Sequence, residues 1–456
     1  MQLGVAGAGT MGAGIAQLGC QAGMRTLLYD PIPEAREKGE AAVRKRLAKR
    51  EGEAGELVVT DDLDALAGCD LVVEAVPERP ELKRELFGEL SERNPEIVLA
   101  TNTSSILVTS LAGAAARPEN VVGMHFFNPP PVMKLVEIIR AEQTGDEAVA
   151  VATRVAEAME RQPIEVVDGP GFLVNRCNRP FGAESLRLLQ ERVATHEQID
   201  RIVRLAGGFR MGPFELMDLV GIDVGFEVAK SFMEQSFDEP RWKPNPLQAK
   251  KVAAGKLGRK TGAGWYEYPP GRPEDPEPLE PGGGEGRAID IAGTGEMWDQ
   301  LRARASRAGF REGSDVVIGE DIPLIAGRTL RETGAKVGFH LLAPLGSLVE
   351  LTGERDDDVE HLFRALGFHC EWVEDAPGLV LGRIAAQLVN EAAFAIGEGV
   401  GSAADVDAGM KLGLNHPRGP VEWWRAIGTE HVVSILEALG EERYRVAPLL
   451  RRGSLE

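Results

Sequence analysis

At 456 residues the chain is too long for one ordinary hydrophobic core, which predicts two to four domains. Its 43% hydrophobic and 27% charged residues are a globular mixture, and a net charge of −20 excludes a general nucleic-acid binder, which needs a basic face. No apolar run reaches the roughly 18 residues of a membrane span, so no membrane partner is expected.

The four cysteines, Cys20, Cys69, Cys177 and Cys370, form no CxxC pair and no metal-ligand spacing with histidine. They read as reduced thiols of a cytoplasmic protein without a metal. The start, MQLGVAG, enters a strand-like run directly, so no signal peptide is expected.

In chain order, an apolar run, a Gly-rich turn and a small-residue helix come first. RTLLYD (25–30) predicts the second strand, and a basic helical stretch runs to Arg50. Further strands are predicted at 57–62, 69–76, 96–104 and 120–126, with helical periodicity between them. Strands alternating with helices predict a parallel, doubly wound α/β sheet of Rossmann type. This dinucleotide-binding domain is placed at 1–170. An all-α domain follows at 171–268. Residues 269–286 hold six Pro and five Gly and predict a linker.

The remainder replays the first half in shortened form. RAIDIAGTGEM echoes LGVAGAGTM, and GFHLLAPLGSLVEL echoes GMHFFNPPPVMKLVEII. DAPGLVLGRIAAQLVNEAAF echoes DGPGFLVNRCNRPFGAESLR, and HPRGPVEWWRAIG echoes FRMGPFELMDLVG. A degenerate repeat is therefore expected: a vestigial Rossmann-like segment at 287–374 and a second helical domain at 375–456.

Gly7, Gly9 and Gly12, with Thr10 and Met11 between them, fit GxGxxG between a strand and a helix. Gly7 allows the tight turn, Gly9 the approach of a pyrophosphate to the helix N-terminus, and Gly12 close helix–strand packing. Asp30 ends the second strand, 18 residues after Gly12. A carboxylate there accepts from a ribose 2′-hydroxyl and repels a 2′-phosphate, favouring NAD over NADP. In the second half Trp298 stands where the third glycine should be, and Glu296 brings negative charge. Gly293 and His340 are 47 residues apart, against 118 between Gly7 and His125. No dinucleotide is expected there.

A histidine with a carboxylate partner is a candidate acid/base pair. The repeated segment carries it twice, as His125 with Glu137 and as His340 with Glu350. The first copy adds ATNTSS (100–105), 21 residues from Ser104 to His125, and PGFLVNR (170–176).

Together, GAGTMG, ATNTSS, HFFNP, KLVE, PGFLVNR and GPFELMD resemble the 3-hydroxyacyl-CoA dehydrogenase family. The resemblance covers 1–268, with a degenerate copy over 287–456. The tandem length is similar to a bacterial branch that includes 3-hydroxybutyryl-CoA and 3-hydroxyadipyl-CoA dehydrogenases. It implies NAD-dependent interconversion of L-3-hydroxyacyl-CoA and 3-oxoacyl-CoA in fatty-acid or related acyl-CoA metabolism. It also implies His125 as the general base and Glu137 as its orienting carboxylate. Ser104 would hydrogen-bond the reacting oxygen or the nearby thioester, and Asn175 would complete the catalytic set. Glu78, Lys83, Asn102, Asn128 and Lys260 match positions near the cofactor, with Asn102 supporting the Ser104 loop. In the second copy the Asn175 position is Gly382 and ATNTSS has no counterpart, so that half is expected to be non-catalytic.

One departure concerns CoA. The family's helical hairpin between the second and third strands is cut down here, leaving a basic stretch in which Lys45, Arg46 and Lys49 are candidate CoA contacts. A fused second helical domain would give a pseudo-two-fold monomer, the alternative being a homodimer. No hydratase-like segment precedes the dinucleotide fold, so a bifunctional enzyme is not expected. Competing readings are a crystallin-like sugar-acid dehydrogenase of the same fold and a non-catalytic NAD-binding protein. The β-hydroxyacid dehydrogenases fit less well, because they use a helical lysine where Asn175 and Arg176 stand.

Overall fold

The computed structural model describes residues 1–49, 52–313 and 315–453, so Arg50 of the basic stretch lies outside them. The chain divides into two compact units. One comprises Met1–Arg176 with Gly399–Leu414, the other Cys177–Glu398 with the chain from Asn415 onward. The segment 399–414, expected within the second helical domain, thus belongs to the first unit.

The first unit is built on one eight-stranded sheet. Its strands are β1 (Gln2–Ala6), β2 (Arg25–Tyr29), β3 (Leu57–Thr60), β4 (Leu71–Glu74), β5 (Val98–Thr101), β6 (Val121–Phe126), β7 (Leu135–Arg140) and β8 (Gln162–Val167). Their order is β3-β2-β1-β4-β5-β6-β7-β8. Strands β1, β4, β5 and β6 are buried throughout or nearly so, the apolar pattern of a sheet covered on both faces. The strands expected from sequence, β1 to β6, all pair in parallel, but β7 and β8 are not among them. Strand β7 runs antiparallel to β6, because a short Pro-rich turn joins them and leaves no room for a helical crossover. That reversal sets His125 directly opposite Glu137.

Helix Thr10–Gln21 packs its small residues on this sheet. A Cβ at Gly12 would lie 1.8 Å from the Gly7 carbonyl oxygen, so helix and strand touch at a distance that only glycine permits.

The second unit carries two helical stretches and two small sheets. Strands β9 (Ala288–Ile291), β10 (Arg311–Glu312) and β11 (Val316–Ile318) form one parallel sheet, in the order β10-β9-β11. Strands β12 (Val337–His340), β13 (Leu348–Gly353) and β14 (His369–Trp372) form the other. There β12 and β13 are antiparallel, with His340 opposite Glu350. Residues 269–286 hold no helix or strand. Asp275 accepts from Arg204 at 2.6 and 2.9 Å, and the Gly282 amide donates to the Ala365 carbonyl at 2.8 Å.

Helices Val174–Gln190 and Leu381–Gly397 are joined by buried charge. Arg383, 1% exposed, meets the Glu184 carboxylate, donates to Glu191 at 2.6 Å and donates to the Tyr444 hydroxyl at 2.7 Å. Arg241 donates to Glu391 at 2.7 Å. Burial alone would push the Glu184 carboxyl up, but Arg383 and Arg187 overcome it and hold the pKa down. Replacing Arg383 with Met leaves Glu184 as a buried, under-compensated charge. The expected loss is about 3–5 kcal/mol in chemical denaturation of the second unit.

Candidate functional site

The site is built at the carboxyl ends of the parallel strands, where open α/β sheets hold ligands. Gly7 leaves β1 with φ +103, and its amide donates to the Tyr29 carbonyl at 2.7 Å. A Cβ at Gly9 would meet nothing within 4 Å, so the helix N-terminus beside Thr10 and Met11 is open to an anion. Asp30 accepts from the Ala8 amide at 2.9 Å and from the Ile32 amide at 3.0 Å. Its carboxylate is therefore fixed beside the glycine turn with lone pairs to spare for a ribose hydroxyl. These residues fit a dinucleotide without a 2′-phosphate.

The His–Glu pair sits near the end of β6 and the start of the antiparallel β7. His125 Nδ1 lies 2.6 Å from Glu137 Oε2, with His125 6% exposed and Glu137 fully buried. The other Glu137 oxygen accepts from the amides of Leu173 and Val174 at 3.1 and 2.9 Å, where helix Val174–Gln190 begins. Three donors and a helix N-terminus thus favour the carboxylate as an anion. An anionic partner requires a proton on Nδ1, which leaves Nε2 as the basic nitrogen of a neutral ring. Nε2 makes no hydrogen bond among the described residues. Phe127 and Phe172 flank the ring, with centroids 4.6 and 5.7 Å away. Asn175, in the first turn of the same helix, is half-buried, and its amide is unpaired among the described residues.

The ATNTSS loop is held from beneath. Glu78 accepts from Thr103 Oγ1 at 2.5 Å, the Ser104 amide at 3.1 Å and Ser105 Oγ at 3.0 Å. Lys83 Nζ, 1% exposed, lies 2.6 Å from Glu74 and 3.1 Å from Glu78. Burial pushes the Glu74 carboxyl up despite Lys83; at Glu78, Lys83 and the loop hydroxyls overcome burial and pull it down. Ser104 is left exposed above this framework.

The site residues expected from sequence thus sort themselves. Gly7, Gly9, Thr10, Met11, Gly12, Asp30, Ser104, His125, Glu137 and Asn175 all belong to the first unit. Glu78 and Lys83 form the framework under the loop; Lys83 is too buried to touch a ligand freely. Asn102 accepts from the Phe126 amide at 2.9 Å, which ties the start of the Ser104 loop to the strand of His125. Asn128 is exposed just after β6. Lys260 belongs to the second unit and pairs with Asp223 at 2.7 Å. Glu74 and Thr101 escaped sequence reasoning, although a carboxylate ending the apolar run LVVE signals a buried charge in need of partners.

Helix Pro33–Leu47 follows β2 and precedes β3, which runs parallel to β2, so the helix travels back toward the amino ends of the strands. Lys45, Arg46 and Lys49 stand at or beyond its end, away from the strand ends that carry Gly7 and His125.

The second His–Glu pair differs in one respect. Glu350 still accepts from the amides of Val380 and Leu381 at 2.7 and 3.1 Å. His340 Nδ1, however, stands 3.4 Å from Glu350, and neither ring nitrogen makes a hydrogen bond although the residue is fully buried. The ring lies on Gly382, where a Cβ would come within 2.3 Å of Nε2, so no side chain fits at the position matching Asn175. Trp298 covers the matching glycine turn: a Cβ at Gly293 would meet its indole at 2.2 Å.

Comparisons with known proteins place the chain in a family. Residues 2–169 match the family model "3-hydroxyacyl-CoA dehydrogenase, NAD binding domain", and residues 171–268 and 378–453 match "3-hydroxyacyl-CoA dehydrogenase, C-terminal domain". The chain is 34% identical to 3-hydroxyadipyl-CoA dehydrogenase of Escherichia coli K12, across 99% of this chain and 97% of that protein. It is 40% identical to a probable 3-hydroxybutyryl-CoA dehydrogenase of Deinococcus radiodurans, across 59% of this chain and all of that protein. A crystal structure of 3-hydroxybutyryl-CoA dehydrogenase from E. coli K12 superposes with a TM-score of 0.82 at 34% identity, covering 99% and 98% of the two chains.

Removing the lysine under the loop tests the framework. Lys83→Met strands Glu74 in the core without its cation, and the expected loss is about 3–5 kcal/mol in urea denaturation. An unchanged midpoint would show that Glu74 is already neutral there.

Proposed function

Because the chain belongs to the 3-hydroxyacyl-CoA dehydrogenase family, we propose that it interconverts L-3-hydroxyacyl-CoA and 3-oxoacyl-CoA with His125 as its acid/base. The observation that carries the reading is the 2.6 Å contact between His125 Nδ1 and a carboxylate that also holds a helix N-terminus. NAD, the cofactor of this family's first domain, accepts the hydride in oxidation and donates it, as NADH, in reduction.

The chain's own residues handle the proton and the orientation. Gly7 to Gly12 and Asp30 hold the dinucleotide at the open helix end. His125 Nε2 takes the proton from the substrate 3-hydroxyl as the hydride leaves C3, and returns it to the 3-oxo oxygen in reverse. Glu137 fixes the tautomer and stabilises the imidazolium, as the carboxylate does in other His–carboxylate pairs. Ser104 donates to the reacting oxygen or the thioester carbonyl from above its framework, and Asn175 fills the remaining polar side. Asn128, exposed just after β6, is assigned to the cofactor surround.

The second half is proposed to be a degenerate, non-catalytic repeat, with the domain boundaries drawn from the sequence. Three observations support this: the helical-domain model matches in two stretches, His340 repeats the register of His125, and the Asn175 position is closed by Gly382. Arg383 on Glu184 and Arg241 on Glu391 link the two helical stretches, which favours the pseudo-two-fold monomer over a homodimer. Mass by light scattering tests it. No helix among the described residues is long and apolar enough to cross a membrane. No disulfide joins the cysteines among the described residues, which fits the reducing cytoplasm.

His125→Gln is expected to lower kcat by about 10²–10⁴-fold while the Kd for NADH changes less than about twofold. Near-normal turnover of the folded variant on a panel of short, medium and dicarboxylic 3-oxoacyl-CoAs would overturn the assignment. His340→Leu is the contrasting case. It replaces a ring without hydrogen bonds, so turnover is expected to stay unchanged and stability to remain within about 1 kcal/mol of the parent.

A further inference from the structure

The segment 399–414 lies in the second half of the sequence but is part of the first unit. The Val167 amide at the end of β8 donates to the Val400 carbonyl at 3.0 Å. Helix Ala403–Leu414 then lies along β7 and β8 with Val406 and Met410 buried. Its small residues meet a particular set of neighbours. A Cβ at Gly409 would stand 2.6 Å from Val174 Cγ2. One at Gly413 would stand 2.9 Å from Leu135 and 3.3 Å from the Phe127 ring, and one at Gly401 would stand 2.7 Å from Leu173.

Those neighbours hold the His–Glu pair. The amides of Leu173 and Val174 are the two backbone donors to Glu137, and Phe127 packs against the His125 ring. Leu135 lies two residues before Glu137 on β7. The helix therefore packs closely on the side chains of the residues whose amides and ring set the position of the carboxylate and the imidazole. A side chain at 409 or 413 has no free volume to enter. It must move Val174 or Phe127, and interiors packed at this density transmit such a shift.

We propose that helix Ala403–Leu414 is a positioning element for the His125–Glu137 pair, with Gly409 and Gly413 as positioning residues. The second half of the chain then contributes to turnover through one helix that completes the first unit, without a second active site. The inference rests on the reading of His125 and Glu137 as the acid/base pair. A misplacement of about 1 Å in such a pair costs on the order of 10²-fold in rate.

The test uses the full chain with NADH and acetoacetyl-CoA as probes. Gly409→Val and Gly413→Leu are expected to lower kcat by about 10–100-fold with the Kd for NADH unchanged. They are also expected to move the low-field proton resonance of His125 Nδ1–H, assigned by its loss in His125→Gln. Should the larger side chains prevent folding, Gly409→Ala gives the milder shift, and adding Val174→Ala to it removes the opposing methyls and is expected to restore kcat and the resonance. Folded variants with parental kcat and an unmoved resonance would overturn the proposal. So would a Gly409→Ala loss that Val174→Ala leaves uncorrected. If the resonance moves while His125→Gln still turns over normally, the positioning stands and the acid/base assignment fails.

Discussion

The first unit is organised around one buried carboxylate. Glu137 has no solvent exposure, and an isolated ionised group in such a place would cost several kcal/mol. The cost is offset by three donors: His125 Nδ1–H and the amides of Leu173 and Val174. Each needs a different part of the fold. The imidazole comes from β6 through antiparallel register, and the amides come from the first turn of the next long helix. Loss of any one leaves a charge under-compensated and a ring or a helix end misplaced. The chemistry and the docking of a helix on a sheet are one interaction seen from two sides.

The second half separates these two sides. Glu350 has the corresponding strand register and accepts from two helix amides, while His340 stands 3.4 Å away and makes no hydrogen bond among the described residues. A carboxylate that caps a helix is required wherever that helix must dock, whether or not a proton is moved nearby. The imidazole has no such second duty. This accounts for the bonded carboxylate in both halves, while the bonded imidazole is found only in the first. Gly382 and the His340 ring account for each other: the absence of a side chain admits the ring, and the ring excludes one.

Legibility in the sequence followed the range of each interaction. The glycine turn, Asp30 and the strand–helix alternation are local, and periodicity with spacing places them. His125 and Glu137 were visible because the repeated segment drew attention to them; their opposition across β6 and β7 needed the reversal of one strand, which composition does not encode. The basic stretch illustrates a different limit. Charge can be counted from sequence, but the direction in which a helix carries it depends on topology, and helix Pro33–Leu47 carries Lys45, Arg46 and Lys49 away from the site. Lys83 was expected near a ligand because of its match to a family position. Its burial between Glu74 and Glu78 is set by partners 9 and 5 residues away that turn inward only once β4 is in the sheet.

The longest-range feature was the least legible. GSAADVDAGMKLGL reads as an ordinary small-residue helix of a second helical domain, and nothing in its own pattern says which core it joins. Its glycines acquire meaning only from Leu173, Val174, Leu135 and Phe127, more than two hundred residues upstream. Substitution there is constrained by volume, since any side chain is set against a branched or aromatic neighbour on the other side of the contact. A helix far along the chain is thus constrained by packing against the first unit, next to the residues whose backbone amides hold Glu137.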